Sequence, residues 1–367
     1  MNPKIRLSTA CANEAGGAPW GYDRDSQRAR IVHFGIGAFH RAHQAWYADR
    51  LMARGHEHWK IIGVSLRSPE VARQLNPQNG LYTVTERSLQ GVCTRIVGSV
   101  QEVLIANADQ RRIIAHLAEP ETSVISLTIT EQGYCRTQKG GLDHALAASG
   151  SIYPLLAAGL KRRMDGGLSG LTLMSCDNLA QNGRQLEALL FEYLDRSDRL
   201  LAGWVSRECA FPCSMVDRIV PATTEEDRQT VFRESGWYDE GAVITEPFTQ
   251  WVIEDRFANT RPRWEEVGVQ IVKDVNPYER VKLRMLNAAH SALAYLGIEA
   301  GYDFVHEAIA DSRIRRLIWL LLVAEAAPTI PSLPQSDLGT YAHSLLQRFE
   351  NAALPHRLLQ IAKDGSE

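Results

Sequence analysis

Arg30-Ile31-Val32-His33-Phe34-Gly35-Ile36-Gly37-Ala38-Phe39-His40-Arg41 is the stretch on which the fold turns. A short β-rich run meets a Gly-x-Gly turn, and residues 39–54 beyond it carry apolar side chains at helical period. The next apolar run, residues 60–66, reads as a second buried strand at a spacing that suits a βαβ crossover. Gly35 and Gly37 permit a tight turn and a close main-chain approach to a pyrophosphate, whose charge a following helix N-terminus favours. The third glycine of the dinucleotide fingerprint is replaced by His40, so the match is partial, and a plain glycine turn accounts for the same residues.

Working outward, residues 81–85 and 94–100 read as a hairpin-like excursion. Residues 123–130 form a strand ending at Glu131, and residues 171–176 another ending at Asp177-Asn178. Strands alternating with helices imply a parallel sheet, and Thr130, Glu131, Asp177 and Asn178 then stand at the carboxyl ends, where ligands bind. Asn182-Gly183 opens an amphipathic helix through Leu200, and residues 211–224 and 244–253 look like extended pieces completing the first domain. From Tyr278 the chain reads as nearly all helix. The expected fold class is α/β: a Rossmann-like, mostly parallel sheet domain over 1–273, followed by a mainly α-helical domain over 274–367.

At 367 residues the chain is too long for one compact core, and its 45% hydrophobic and 23% charged residues are those of an ordinary soluble protein. A net charge of -3 gives no electrostatic reason to expect nucleic acid or a membrane surface as partner. Residues 1–21 carry no signal-peptide core, and the apolar run 317–324 is too short to span a bilayer and reads as a buried helix, so a cytoplasmic protein is expected. Six scattered cysteines fit reduced thiols. Cys209 and Cys213 have Pro212 between them and no second ligand pair, so no metal site is expected.

The segment Pro277-Tyr278-Glu279-Arg280-Val281-Lys282-Leu283-Arg284-Met285-Leu286-Asn287-Ala288-Ala289-His290 carries the chemistry. On a uniform helix, with Lys282 at zero, Glu279 falls at about 60°, His290 at about 80° and Asn287 at about 140°. A solvated helix face explains such a pattern too, but Leu283 and Leu286 share the arc, as on a helix lining a partly closed pocket. A lysine in a cavity is a proton acceptor, because desolvation lowers an ammonium pKa, and an asparagine amide donates to a developing alkoxide. That is alcohol–carbonyl chemistry. Arg41 and Arg67 supply positive charge near the glycine turn. The end of the second strand reads Ser65-Leu66-Arg67-Ser68, with no carboxylate until Glu70, which leaves NAD and NADP both open.

Together with Ser175-Cys176-Asp177-Asn178, Phe211-Pro212-Cys213-Ser214-Met215-Val216-Asp217-Arg218-Ile219 and Glu246-Pro247-Phe248, the glycine turn and the Lys282 helix resemble the mannitol dehydrogenase family, the polyol-specific long-chain dehydrogenases and reductases. The resemblance implies an NAD(P)-dependent, metal-independent oxidoreductase that interconverts a secondary alcohol of a hexonate or polyol with its ketone. The hexonate is favoured on Ser65-Leu66-Arg67-Ser68-Pro69 and Met174-Ser175-Cys176-Asp177-Asn178. It implies Lys282 as general acid/base, Asn178 and Asn287 polarising the reacting oxygen, His290 orienting substrate, and Glu279 exchanging protons with solvent. Asp217 and Arg357 are expected on the substrate side, and Gly35, Gly37, Phe39, Arg41, Arg67 and Glu131 around the cofactor. Members usually continue for roughly a hundred residues, about a domain's length, beyond the Asp-Gly-Ser motif, whereas this sequence stops at Glu367. A shortened second domain is therefore expected. The alternative is an inactive homologue that binds nucleotide or serves only as an interaction protein. Nothing in the sequence reads on oligomeric state.

Overall fold

The computed structural model describes residues 5–14, 20–331 and 337–364. The Gly365-Ser366-Glu367 end, on which the expectation of a shortened domain rests, lies outside the described residues. The strands, in chain order, are β1 (Ala29–Phe34), β2 (Lys60–Ser65), β3 (Tyr82–Ser88), β4 (Gly91–Val97), β5 (Val100–Ile105), β6 (Val124–Leu127), β7 (Thr172–Ser175), β8 (Ser214–Asp217), β9 (Val243–Thr245), β10 (Gln250–Glu254) and β11 (Gln270–Val272). The chain divides into two compact units. One comprises Met1–Thr85, Thr94–Ile244 and Thr249–Lys273; the other comprises Glu86–Cys93, Thr245–Phe248 and Asp274–Glu367.

The first unit is built on a five-stranded sheet in the order β5-β2-β1-β6-β7, with every neighbour parallel. Alternation along the strands explains why both faces are covered. Val32, Phe34, Ile62, Val64, Ile125 and Leu127 point into a core with Leu156 and Leu186, while Ile31, Ile61, Val103 and Val124 point into another with Tyr47, Leu51, Trp251 and Trp264. Strands buried on both faces read as continuous apolar runs, which is how β1 and β2 read in the sequence.

Several local readings differ from the structure. The strand read over 123–130 ends at Leu127, and Thr130 opens the short helix Thr130–Gly133, its amide bonded to Asp177 Oδ1 at 2.8 Å. The helical period over 39–54 is broken at His43 (φ -122°, ψ -91°) into helices Ala38–Ala42 and Gln44–Met52. There His43 Nε2 meets the Gln250 carbonyl at 2.9 Å and its ring stands edge-on to Trp251. Residues 94–100 are not one strand: Gly98 N donates to Asp49 Oδ1 at 2.8 Å and Ser99 Oγ to the Ala45 carbonyl at 2.7 Å, and past this kink β5 joins the main sheet. Of residues 211–224 only β8 is a strand, and it pairs antiparallel with β10, which pairs parallel with β11, outside the main sheet. The helix from Asn182 stops at Ser197, because Asp198 (φ -157°) caps a new helix, Arg199–Glu208, through Leu201 N at 3.0 Å.

The second unit is mainly helical, around Met285, Leu286, Leu293, Ile309, Ile318, Leu322, Leu345, Phe349 and Leu358. The apolar run 317–324 is amphipathic rather than wholly buried: Ile318 and Leu322 enter this core, while Leu317 is 52% exposed. Among the described residues, no helix is long and apolar enough to cross a membrane.

Candidate active site

Where the parallel strands end, a cavity of about 640 Å³ opens between Gly35-Ile36-Gly37 after β1, residues 65–68 at the end of β2, residues 128–130 after β6, and residues 149–152. This is the crevice expected of an open α/β sheet. His33 builds the glycine turn from below, with Nδ1 at 2.8 Å from Ser126 Oγ and Nε2 at 2.9 Å from Thr128 Oγ1. Thr128 Oγ1 in turn donates to the Gly35 carbonyl at 2.7 Å. His40, at the third glycine position, lies outside the cavity lining and stacks on His33 with ring centroids 3.3 Å apart. Burial pushes His33 down to about 3 and His40 well below the usual imidazole value, so both stay neutral at physiological pH.

The two glycines differ. Gly35 has φ +94°, and a Cβ there would lie 1.9 Å from the Thr128 carbonyl oxygen. At Gly37 the nearest atom, the Gly35 carbonyl oxygen, is 4.0 Å away, so a Cβ would enter open space at the cavity wall. An open backbone cradle with a neighbouring guanidinium, Arg67, fits a dinucleotide phosphate. Gly35→Ala is therefore expected to lose roughly 2–5 kcal/mol in urea unfolding, whereas Gly37→Ala keeps its midpoint and weakens nucleotide binding. Equal midpoints for the two variants would contradict this account of the turn.

Of the residues expected around the cofactor, Gly35, Gly37 and Arg67 line the cavity. Phe39, Arg41 and Glu131 are not in its lining. Phe39 stacks on His43 at 5.1 Å. Arg41 is buried and donates to the Gly241 carbonyl and to the Gly37 carbonyl, the latter at 3.3 Å from Nε. Glu131 is exposed in the short helix Thr130–Gly133. Sequence reasoning missed the Ser149-Gly150-Ser151 wall, although a small polar run directly before the helix Ile152–Asp165 was a usable signal.

Asn178 is exposed just past β7, and Asp217 ends β8 with only 4% of its surface accessible. Between β7 and Asn178, Asp177 accepts hydrogen bonds from Ile129 N (3.0 Å), Thr130 N (2.8 Å) and Tyr134 Oη (2.7 Å). Burial raises its pKa, and these donors oppose the rise.

In the second unit, Glu279, Lys282, Asn287 and His290 lie half-buried on one continuous helical stretch. The stretch is not uniform. Lys282–Asn287 is a π-helix, and the Ala288 amide reaches back to the Leu283 carbonyl. With i→i+5 closure, Lys282 and Asn287 stand one turn apart, one above the other, instead of about 140° apart on a uniform α-helix. Such insertions recur at functional sites. The expected common arc of Leu283 and Leu286 does not survive: Leu286 is buried, but Leu283 is 59% exposed. His290 packs on Phe349 at 4.8 Å and edge-on to His356 at 5.7 Å, a neighbour the sequence reading left out. Arg357, beside it, is exposed, with its guanidinium 5.2 Å from the Phe304 ring.

The Glu246-Pro247-Phe248 motif has a separate place in the second unit. Arg348 grips Glu246 in two hydrogen bonds (2.9 and 2.7 Å) and lies 4.0 Å from the Phe248 ring centre, at the wall of a cavity of about 440 Å³. Among the described residues, no cluster of three or more His, Cys, Asp or Glu side chains is arranged to hold a metal ion.

Comparison with known proteins adds to this geometry. The profile described as the mannitol dehydrogenase Rossmann domain matches residues 29–266, and that of the mannitol dehydrogenase C-terminal domain matches residues 274–367. The chain is 40% identical over 362 residues to D-mannonate oxidoreductase of Escherichia coli, covering 94% of this chain and 74% of that protein. It is also 40% identical over 355 residues to mannitol 2-dehydrogenase of Aspergillus fumigatus, covering 92% of this chain and 71% of that one. Among solved structures, the ternary complex of Pseudomonas fluorescens mannitol 2-dehydrogenase with NAD and D-mannitol superposes with a TM-score of 0.89 at 36% identity, covering 97% of this chain and 76% of the other.

Proposed function

The chain belongs to the mannitol dehydrogenase family of oxidoreductases, and on that premise we propose that it interconverts a secondary alcohol of a sugar acid with its ketone at the expense of NAD, without a metal. D-Mannonate and D-fructuronate are the favoured pair, and D-mannitol and D-fructose the next. The single observation that carries the reading is the π-helix that stacks Lys282 over Asn287, half-buried, in a chain whose other unit holds the glycine-floored cavity.

Lys282 takes the hydroxyl proton on oxidation and returns it to the oxygen on reduction. The amides of Asn178 and Asn287 donate to that oxygen as it gains negative charge, doing the work a Lewis-acidic ion does elsewhere. His290 and Asp217 hold substrate hydroxyls, and Glu279, one turn before Lys282, passes the proton on to solvent. Gly35, Gly37 and Arg67 hold the dinucleotide, whose nicotinamide supplies the hydride acceptor or donor. The exposed guanidinium of Arg357 is the group that favours a carboxylate-bearing substrate over a neutral polyol.

The test follows nicotinamide absorbance with fructuronate, tagaturonate and fructose in the reductive direction and mannonate and mannitol in the oxidative one, each with NAD(H) and NADP(H). The expected result is the highest kcat/KM with a hexuronate and NADH. Preference for fructose or mannitol would move the assignment to the polyol. Cofactor binding with no turnover on any of them would favour a nucleotide-binding homologue without activity.

A further inference from the structure

Thr130 is a β-branched residue held at φ +62°, a conformation such side chains rarely adopt, and it lies in the wall of the nucleotide cavity. What holds it there comes from just past the end of β7. One carboxylate, Asp177, receives the amides of Ile129 on Oδ2 at 3.0 Å and Thr130 on Oδ1 at 2.8 Å. Tyr134 Oη adds a third hydrogen bond to Oδ2 at 2.7 Å and is itself 2.6 Å from Ser175 Oγ. The same wall carries Thr128, which holds the Gly35 carbonyl.

The main chain of Asp177 is tied on its other side. Its carbonyl accepts from Asn182 Nδ2 at 3.0 Å, and fully buried Asn182 brackets Ser214, donating to its carbonyl at 2.8 Å and accepting from its amide at 2.9 Å. Ser214 opens β8, the strand that ends at Asp217. Asn178 is the very next residue after Asp177. One side chain thus fixes the cavity wall, while the backbone that bears it carries the amide proposed to meet the reacting oxygen.

We propose that Asp177 is a positioning residue that sets the Thr128–Thr130 wall of the nucleotide cavity in register with Asn178, with Asn182 as its anchor onto β8. This rests on the nicotinamide-dependent reaction proposed above. A carboxylate is needed because it alone offers acceptors to all three donors; an asparagine keeps the shape but turns an NH2 toward an N–H. Charge-assisted bonds of this kind are the strong ones.

The test is Asp177→Asn, read first by hydrogen exchange of the unliganded protein and then by NADH titration. The Ile129 and Thr130 amides are expected to exchange faster, and NADH to bind roughly 10- to 100-fold more weakly, with a fall in kcat at saturating cofactor. Thr130→Gly in the Asp177→Asn background is expected to restore most of the NADH affinity, because glycine takes this φ without an anchor. Purely local packing by Asp177 predicts no such rescue. Unchanged exchange at both amides, or weakened NADH binding with no rescue by glycine, overturns the proposal. Should Asp177→Asn not fold, Tyr134→Phe carries the same exchange test, with faster exchange expected and an unaltered pattern counting against it. Exchange and NADH binding are read without substrate, so an error in the substrate assignment leaves them standing.

Discussion

Lys282→Ala lowers kcat by about a thousandfold, within the range that general acid–base catalysis contributes, while NADH binds within about threefold of its original affinity. The split follows from where the parts lie. Every residue lining the cavity at the glycine turn, where the dinucleotide is proposed to bind, belongs to the unit built on the parallel sheet, and Lys282 belongs to the helical unit. Removing the amine takes away the proton carrier and leaves the cradle. The side chain is half-buried, so alanine there opens a small cavity at the surface of the helix without cutting into the core formed by Met285, Leu286 and Ala289. The change is therefore read in kcat and not in unfolding. Two further signatures accompany it. The limb of the pH–rate profile that reports the acid/base group disappears, and added primary amines restore part of the rate as their basicity rises. A variant that retains turnover within tenfold of the original, with its pH profile intact, assigns the proton to another group.

How far this arrangement was legible depends on whether its cause is local. β1 and β2 were legible because alternate residues, such as Ile31 and Val32, enter different cores, and a strand buried on both faces leaves an unbroken apolar run. Gly35, Gly37 and Arg67 were legible because the end of a parallel strand is where a ligand meets the sheet. The break at His43 was not, since its cause is the Gln250 carbonyl, 207 residues on. Arg41 looked like a phosphate ligand from its place beside the turn, but its guanidinium is claimed by Gly241, 200 residues away. β5 was hidden by the kink at Gly98-Ser99 and by its polar Gln101 and Glu102, which interrupt the apolar pattern. Asp177 was placed at a strand end correctly, yet its role as an acceptor depends on donors 43 to 48 residues earlier.

The π-turn is the most instructive case. A helical wheel assumes one angle per residue, and an inserted residue leaves no mark in composition, so on such a wheel Lys282 and Asn287 lie about 140° apart while sharing a broad face. With the turn in place they are stacked, and that carries the second large expectation. Asn287→Ala lowers kcat by about a hundred- to a thousandfold, the usual cost of losing one oxyanion donor, and Asn287→Asp lowers it further by setting a carboxylate where negative charge develops. If both groups serve one oxygen, their losses do not add. The Lys282→Ala/Asn287→Ala double variant should be slower than Lys282→Ala by less than about tenfold, because an amide that stabilises the oxygen during proton transfer has little left to stabilise once the transfer partner is gone. Full multiplication of the two losses in the double variant would mean that lysine and asparagine act at separate steps, and the stacked π-turn would then have to be explained by packing against the helical core alone.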